Sequence, residues 1–206
     1  MDTTYFSRYY WIMVFRAYEL KKNLLFKEVR WENLYDYKEW IRILKERWWR
    51  IKAIACDWKK WLLQGFPWIP TQMCHFHQKQ IIIRYITRNP KLEASIELRD
   101  ISSMLWKVRK TTFKTRLIDW HERYKKFLSE KNDNKKFIHE RTRKAYRSLS
   151  RNLEWLYTYE DNGHLLIPTT SNALEWTFKH LKDKIRIHWW LRKDRKLKLI
   201  FELLQK

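Results

Sequence analysis

Glycine is almost absent from this chain of 206 residues, in which it occurs twice, whereas tryptophan occurs 14 times. A chain of this length has about 14 glycines at the average usage of roughly 7%. Several tryptophans stand where chains usually turn, such as Trp58, Trp61 and Trp68. Because bulky residues fit poorly at the positive-φ positions of tight turns, the ratio of tryptophan to glycine is abnormal.

Other features are also missing, and each absence excludes a class of protein. The two cysteines, Cys56 and Cys74, are too few for a disulfide scaffold, so we expect reduced thiols. No apolar run approaches the roughly 18 residues of a membrane helix, and no signal peptide is visible. A glycine-rich phosphate loop and a Gly-x-Ser-x-Gly elbow are both missing, which removes P-loop enzymes and serine hydrolases.

Positive charge is abundant. Lysine and arginine number 45 and aspartate and glutamate 23, for a net charge of +22 at pH 7. Such a charge favours a polyanionic partner, most simply a nucleic acid, although a merely soluble basic protein is the alternative. Tryptophan beside lysine and arginine also occurs in membrane-active proteins, but this chain has no single dominant amphipathic stretch. We therefore expect a cytoplasmic protein that binds nucleic acid and no membrane.

The residue pattern predicts a mixed α/β core interrupted by helices. Apolar and β-branched stretches predict strands at 9–18, 24–29, 51–56 and 71–76, and Lys22 and Asn23 a turn. Apolar residues spaced by three and four predict helices that start near Leu34, at 78–87, within 91–159 and at 194–204. The predicted organisation is core at 1–88, an all-helical insertion at 89–163, and core helices at 164–206.

Three acidic residues stand out by their positions. Asp2 precedes the first long strand, Asp57 ends a short apolar strand, and Glu175 lies near a helix start, where Asn172 and Glu175 fit a capping box. Three carboxylates suit Mg²⁺ or Mn²⁺, and two such ions can drive displacement at phosphorus. By spacing alone, each acid is better explained as a cap or a solvated charge.

A second cluster, Cys74-His75-Phe76-His77, contains softer donors. A zinc site needs four ligands, so Cys56 would have to bind the ion together with the donors of this cluster. The sequence has no second pair of cysteines or histidines at the spacing of a zinc finger. A structural or substrate-contact role for Cys74 and His77 explains the pattern better than zinc does.

Five short blocks in chain order together resemble the Mutator-like transposases of bacterial insertion sequences. The blocks are Asp2-Thr3-Thr4-Tyr5-Phe6, Ile54-Ala55-Cys56-Asp57, Gln72-Met73-Cys74-His75-Phe76-His77-Gln78, Arg84-Tyr85-Ile86-Thr87 and Pro168-Thr169-Thr170-Ser171-Asn172-Ala173-Leu174-Glu175. The resemblance spans nearly the whole chain, and its order is more specific than any single block.

The resemblance implies an RNase H-like core and a DNA transposase. It places the catalytic, metal-binding acids of the family on Asp2, Asp57 and Glu175, with two Mg²⁺ or Mn²⁺ ions. The Cys-x-x-His signature falls on Cys74 and His77. Water would cut DNA at the transposon end, and the freed 3′ hydroxyl would attack target DNA. A homo-oligomer on DNA and a bacterial, nucleoid-associated location follow from the same resemblance.

The chain departs from that family in two ways. Family members carry an N-terminal region with helix-turn-helix character, whereas Asp2 is the second residue here, so we expect an N-terminally truncated fragment with weak or no transposition. The family also has glycine where this chain has tryptophan, namely at Trp11, Trp31, Trp40, Trp58, Trp61, Trp68, Trp176, one of Trp48 and Trp49, and one of Trp189 and Trp190.

A coding difference explains that exchange better than physics does. Some bacteria read the UGA codon as glycine, whereas a common alternative code reads it as tryptophan. The hypothesis is that the cell makes glycine at these positions, while Trp120 and Trp155 are ordinary tryptophans. The alternative is genuine enrichment of tryptophan for stacking on bases.

Basic residues after Glu175 are the best candidates for contacts with transposon-end DNA. They are Lys179, Lys182, Lys184, Arg186 and His188. The basic middle region either holds the DNA backbone or is a solvated helix face; its residues are Lys107, Arg109, Lys110, Lys114, Arg116, Lys125, Lys126, Lys135 and Lys136. The competing function is an inactive transposase remnant that only binds DNA, and loss of nicking in Asp57→Asn separates the two.

Overall fold

The computed structural model describes residues 1–7 and 10–205 and is a mixed α/β protein, 55% helical with a small sheet. It divides into two compact units. Unit 1 comprises Met1–Pro70 and Thr170–Lys206, and unit 2 comprises Thr71–Thr169. Unit 2 therefore takes in the region predicted as a helical insertion and begins earlier, while the predicted boundaries after 88 and 163 stay a prediction.

Unit 1 combines strands with helices, whereas unit 2 is mainly helical. The strands are β1 Asp2–Ser7, β2 Tyr10–Ala17, β3 Lys22–Val29, β4 Ile54–Cys56 and β5 Thr71–Met73. The helices are α1 Leu34–Glu46, α2 Lys60–Leu63, α3 His75–Ile86, α4 Glu93–Ser102, α5 Lys110–Ser129, α6 Glu140–Leu156, α7 Thr158–Asp161, α8 Asn172–Ile187 and α9 Lys193–Gln205. Within residues 1–7 and 10–205, no helix combines the length and the apolar character needed to cross a membrane.

Most of the predicted elements are confirmed, and three details are wrong. The strand predicted at 9–18 is β2, although position 9 lies outside the described residues. A strand was not expected at Asp2–Ser7, where threonine and aromatic residues favour extended backbone. Lys22 and Asn23 belong to β3 and not to a turn, and the strand predicted at 71–76 ends at Met73 because α3 begins at His75.

The sheet of unit 1 is an antiparallel meander in the order β1-β2-β3. Its central strand β2 is buried on both faces, as expected for a strand covered on each side. Ile12 and Val14 pack against apolar residues of α8 and α9 on one face. Phe15 meets Tyr37 and Trp40 of α1 on the other face, with ring centroids 5.8 and 5.4 Å away. Unit 1 is thus a sheet between two helical layers.

Helices α3 to α6 of unit 2 surround their own apolar core, centred on Trp120, which is 1% exposed. The indole N–H of Trp120 donates to the carbonyl of Ala94 at 3.0 Å, and its ring stacks on Tyr146. Ser95 and Thr142 share a buried hydroxyl pair at 2.9 Å between α4 and α6. The apolar stripe expected along α5 therefore faces this core, with Phe113 and Leu117 buried beside Trp120.

The end of α1 contains a tryptophan in a glycine conformation. Trp48 has a φ of 65°, in the left-handed region. Its N–H donates to Lys45 O at 2.9 Å, and the N–H of Trp49 donates to Leu44 O at 3.0 Å. These two bonds form a Schellman motif, whose left-handed residue is most often glycine. The side chain of Trp48 is 96% exposed, so no packing compensates for the backbone strain.

Candidate acidic centre

Asp2 and Asp57 approach one another where β1 begins and β4 ends. The nitrogen of Met1 donates to Ala55 O at 2.9 Å, which joins the start of β1 to β4. Each carboxylate also accepts a hydrogen bond from the following residue: Thr3 N–H reaches Asp2 Oδ1 at 2.8 Å, and Trp58 N–H reaches Asp57 Oδ1 at 2.5 Å. Each aspartate is therefore held by a hydrogen bond from the backbone N–H of the next residue, and the two aspartates lie on adjoining segments.

The buried hydroxyl of Tyr37, on α1, reports the closeness of these carboxylates. Burial raises the pKa of Tyr37 well above its ordinary value, the hydrogen bond with Thr3 lowers it, and Asp2, Cys56 and Asp57 raise it further. Both aspartates must lie near one phenol to act on its pKa. Asp2 and Asp57 thus act on the same phenol, and their role as metal ligands stays a prediction.

Two lysines flank Asp2. Burial lowers the pKa of Lys59 and of Lys182, and in each case the Asp2 carboxylate opposes that shift. Lys182, on α8, also lies over the ring of Tyr5, with its ammonium 4.5 Å from the ring centroid. Lys182 is half-buried beside Asp2, and its predicted contact with DNA stays a prediction.

Glu175 lies in the first turn of α8, in the same unit as the two aspartates. The helix begins at Asn172 with Ser171 as its N-cap, so the predicted capping box with Asn172 as cap is wrong. Instead, the Ser171 hydroxyl donates to Glu175 Oε1 at 3.3 Å. Glu175 stands about two turns before Lys182 on the same side of α8. The convergence of Glu175 on Asp2 and Asp57 stays a prediction.

Cys74 and His77 lie together in unit 2, at the start of α3. Cys74 is buried and is the N-cap of that helix, and its sulfur lies within 4.8 Å of a ring nitrogen of His77. Between them, His75 is fully buried, with Nε2 2.6 Å from Leu156 O, and burial lowers its pKa. Cys56, the further ligand that a zinc site would need, belongs to unit 1.

The other predicted DNA-contact residues of α8 are accessible. Lys179, Lys184 and Arg186 are exposed, and His188 is the C-cap of the helix. In unit 2, Lys110 is already engaged, because its ammonium pairs with Glu154 at 2.7 Å and Asp161 at 2.8 Å. The basic side chains of the middle region that are exposed include Lys114, Arg116, Lys125, Lys126, Lys135 and Lys136.

Four side chains around the aspartates were not singled out from the sequence: Thr3, Glu32, Tyr37 and Lys59. Tyr37 belongs to the apolar stripe of α1, which indicates a core residue and hides its hydroxyl. Glu32 precedes the helix, and its side chain is 5% exposed. A glutamate just before an asparagine N-cap resembles any solvated helix start, so the sequence carries no signal for its burial.

Oxygen donors at this centre fit a hard divalent cation. The carboxylates of Asp2 and Asp57 lie beside the hydroxyls of Thr3 and Tyr37, and such donors suit Mg²⁺ or Mn²⁺ better than zinc. Comparisons of the chain with protein-family models, with curated proteins and with solved structures found no match.

Proposed function

We propose that this chain is the catalytic part of a DNA transposase, which cuts and joins DNA by metal-dependent displacement at phosphorus. The observation that carries the proposal is the hydrogen bond from the Met1 nitrogen to Ala55 O, which joins the start of β1 to β4 and sets Asp2 and Asp57 on adjoining segments near the buried Tyr37. The net charge of +22 supports a polyanionic substrate. The resemblance to Mutator-like transposases supplies the reaction type.

In this proposal Asp2, Asp57 and Glu175 hold two divalent cations in an RNase H-like core. The bound cations would supply Lewis acidity and lower the pKa of a water molecule. The protein's own contribution is to hold the carboxylates by the N–H groups of Thr3 and Trp58. Exposed Lys179, Lys184 and Arg186 on α8 would contact the phosphates and position the strand. A homo-oligomer bound to two DNA ends belongs to the same proposal.

A nicking assay tests the function. The purified chain is incubated with supercoiled plasmid and Mn²⁺, and relaxation of the plasmid is followed with time. Asp57→Asn removes one anionic ligand but keeps the size of the side chain, so we expect nicking to fall at least about 1,000-fold. Asp133→Asn, in the exposed loop between α5 and α6, is the matched control and keeps full activity.

DNA binding, measured in parallel by fluorescence anisotropy, identifies the alternative function. An inactive remnant that only binds DNA would retain its affinity and show no nicking that depends on Mn²⁺ or on Asp57. Trp58 beside Asp57 and Trp176 beside Glu175 place bulky indoles next to two of the acids. The same assay on Trp58→Gly and Trp176→Gly tells whether these side chains suppress the reaction.

A further inference from the structure

Four side chains of unit 1 form one continuous chain of hydrogen bonds. Thr3 Oγ1 lies 2.7 Å from the hydroxyl of Tyr37, and that hydroxyl lies 2.8 Å from Glu32 Oε1. The other carboxylate oxygen of Glu32 accepts from the ammonium of Lys59. These hydrogen bonds connect β1 to α1 and to the segment that follows β4. They extend beyond the residues that hydrogen-bond the two aspartates directly.

The direction of each bond follows from the buried glutamate. Glu32 is paired with Lys59, so its carboxylate is anionic and can only accept hydrogen bonds. The phenol of Tyr37 must then donate to Glu32, which leaves its oxygen to accept from the hydroxyl of Thr3. Thr3 therefore donates to Tyr37, and Tyr37 donates to Glu32. Lys59 donates to the other carboxylate oxygen of Glu32.

The two end members of this hydrogen-bonded series, Thr3 and Lys59, each lie close to an aspartate along the polypeptide. Thr3 follows Asp2 and donates its N–H to that carboxylate. Lys59 comes two residues after Asp57, whose carboxylate accepts from the intervening Trp58. The side chains of Tyr37 and Glu32 thus connect the two short segments that hold the candidate metal ligands.

We propose that Tyr37 and Glu32 are positioning residues, which fix the spacing of the Asp2 and Asp57 carboxylates for one divalent-cation site. The inference rests on the proposed function and assigns roles to residues that the family resemblance does not. Stability alone explains the arrangement poorly, because well-packed apolar side chains in place of a buried ion pair are often as stable or more stable. Groups that orient metal ligands commonly change metal affinity about 10- to 100-fold when mutated.

Direct Mn²⁺ binding, followed by the electron paramagnetic resonance signal of the free ion, tests the role of Tyr37. Tyr37→Phe keeps the ring but breaks the chain, and we expect Mn²⁺ to bind at least about 10-fold more weakly. Tyr35→Phe is the matched control, because Tyr35 lies on the same helix and is 75% exposed. Unchanged Mn²⁺ affinity in Tyr37→Phe, or an equal loss in Tyr35→Phe, would overturn the proposal.

Glu32 has its own matched pair. Glu32→Gln keeps the shape of the side chain and removes the charge that holds Lys59, so Mn²⁺ binding weakens as it does in Tyr37→Phe. Glu39→Gln breaks a partly exposed ion pair with Arg42 on α1 and leaves Mn²⁺ binding unchanged. Circular dichroism confirms that each variant is folded before the ion is added.

A metal-free measurement separates this proposal from the proposed function. The folding equilibrium constant is measured by urea unfolding for Tyr37→Phe, for Asp2→Asn and for the double variant. Because one network joins the two residues, we expect the effect of the double variant to differ from the product of the two single effects by more than about fivefold. For Tyr35→Phe combined with Asp2→Asn, the effect of the double variant should equal the product of the two single effects within about twofold. If the wild-type chain binds no Mn²⁺ but the coupling is present, the proposed function and the cation site fail, while the positioning of Asp2 through Tyr37 stands. If the coupling is missing, the network proposal is overturned.

Discussion

Unit 1 and unit 2 satisfy their buried polar groups in different ways. In unit 2 the buried polar side chains are hydroxyls, amides and one imidazole, and several of them end on backbone atoms: the amide nitrogen of Gln72 donates to Leu156 O at 2.9 Å, and its oxygen accepts from Tyr159 N–H at 2.9 Å. Trp120 likewise ends on Ala94 O. In unit 1, the hydrogen-bonded side chains from Thr3 through Tyr37 and Glu32 end on the ammonium of Lys59, so this network contains an ion pair.

This difference bears on the proposed function, in which unit 2 serves packing and unit 1 carries the chemistry. A backbone carbonyl is present whatever residue stands at that position, so a side chain that binds it needs only one correct residue. A chain of side chains needs every member, and it removes charges from water at a cost in free energy. Such an arrangement is expected where the position of charge matters, which is why the acidic centre of unit 1 is the candidate for catalysis.

The largest expected effect is on the stability of unit 2. Trp120→Ala removes its central side chain and should lower the free energy of unfolding by about 3–5 kcal/mol, measured by urea denaturation. Trp106→Ala is the control, because Trp106 is 43% exposed, and it should cost less than about 1 kcal/mol. If folded Trp120→Ala lost Mn²⁺ binding, the separation of packing from chemistry would be wrong.

The next effect concerns which unit holds DNA. Replacing Lys179, Lys184 and Arg186 with alanine should lower the dependence of log K on log salt by about 0.9 for each DNA phosphate that the variant no longer neutralises. Replacing Lys114, Lys125 and Lys126 on α5 is the matched change in unit 2. Anisotropy titrations at several salt concentrations measure both slopes. A larger change in the α5 variant would move the DNA interface to unit 2.

A smaller effect comes from pH. Burial lowers the pKa of His75 in the folded protein, whereas in the unfolded chain it is about 6.5. The unfolded protein therefore binds the proton more readily than the folded protein does. The contribution of neutral His75 to the free energy of unfolding is fully present above about pH 6.5 and is lost as the pH falls below that value. This single group contributes at most about 1.4 kcal/mol per pH unit. The free energy of urea unfolding should differ less between pH 7.5 and pH 5.5 in His75→Gln than in the unchanged chain.

The smallest effect tests the tryptophans. Trp48→Gly relieves a left-handed residue and should raise the free energy of unfolding by about 1 kcal/mol, seen as a higher Tm. Trp40→Gly is the contrast, because Trp40 is buried against Phe15 and its loss should cost about 3–5 kcal/mol. Stabilisation at position 48 together with TGA in the gene at that codon would support glycine there, whereas a lower Tm would contradict it.

Periodicity in the sequence predicted the helices and strands with long apolar patterns. The stripe of α1 and the spacing along α5 were correct, since each faces a core. Short elements were harder: β1 was not expected, and α3 begins at His75, earlier than its apolar residues indicate. Few residues in such elements carry the pattern, so tertiary hydrogen bonds set their limits.

The candidate site was only partly predictable. Asp2 and Asp57 stood out because each is next to a strand, and both influence the buried phenol of Tyr37. Glu32 and Tyr37 carry no such signal, because their roles come from distant partners: Tyr37 reaches Thr3 across 34 positions, and Lys59 reaches Glu32 across 27. Only folding brings these groups within hydrogen-bonding distance.

Unit 1 is built from both ends of the chain, and this has a consequence for its synthesis. Asn23 of β3 donates to Leu204 O in α9, a contact across 181 positions. The ribosome therefore exposes β1 to β3 long before α8 and α9 exist to cover Ile12 and Val14. Unit 2 is contiguous, and the N–H of His75 binds Thr169 O at 2.9 Å near its two ends. Early folding of unit 2 would shorten the loop that unit 1 must close and the time its sheet stays open to aggregation.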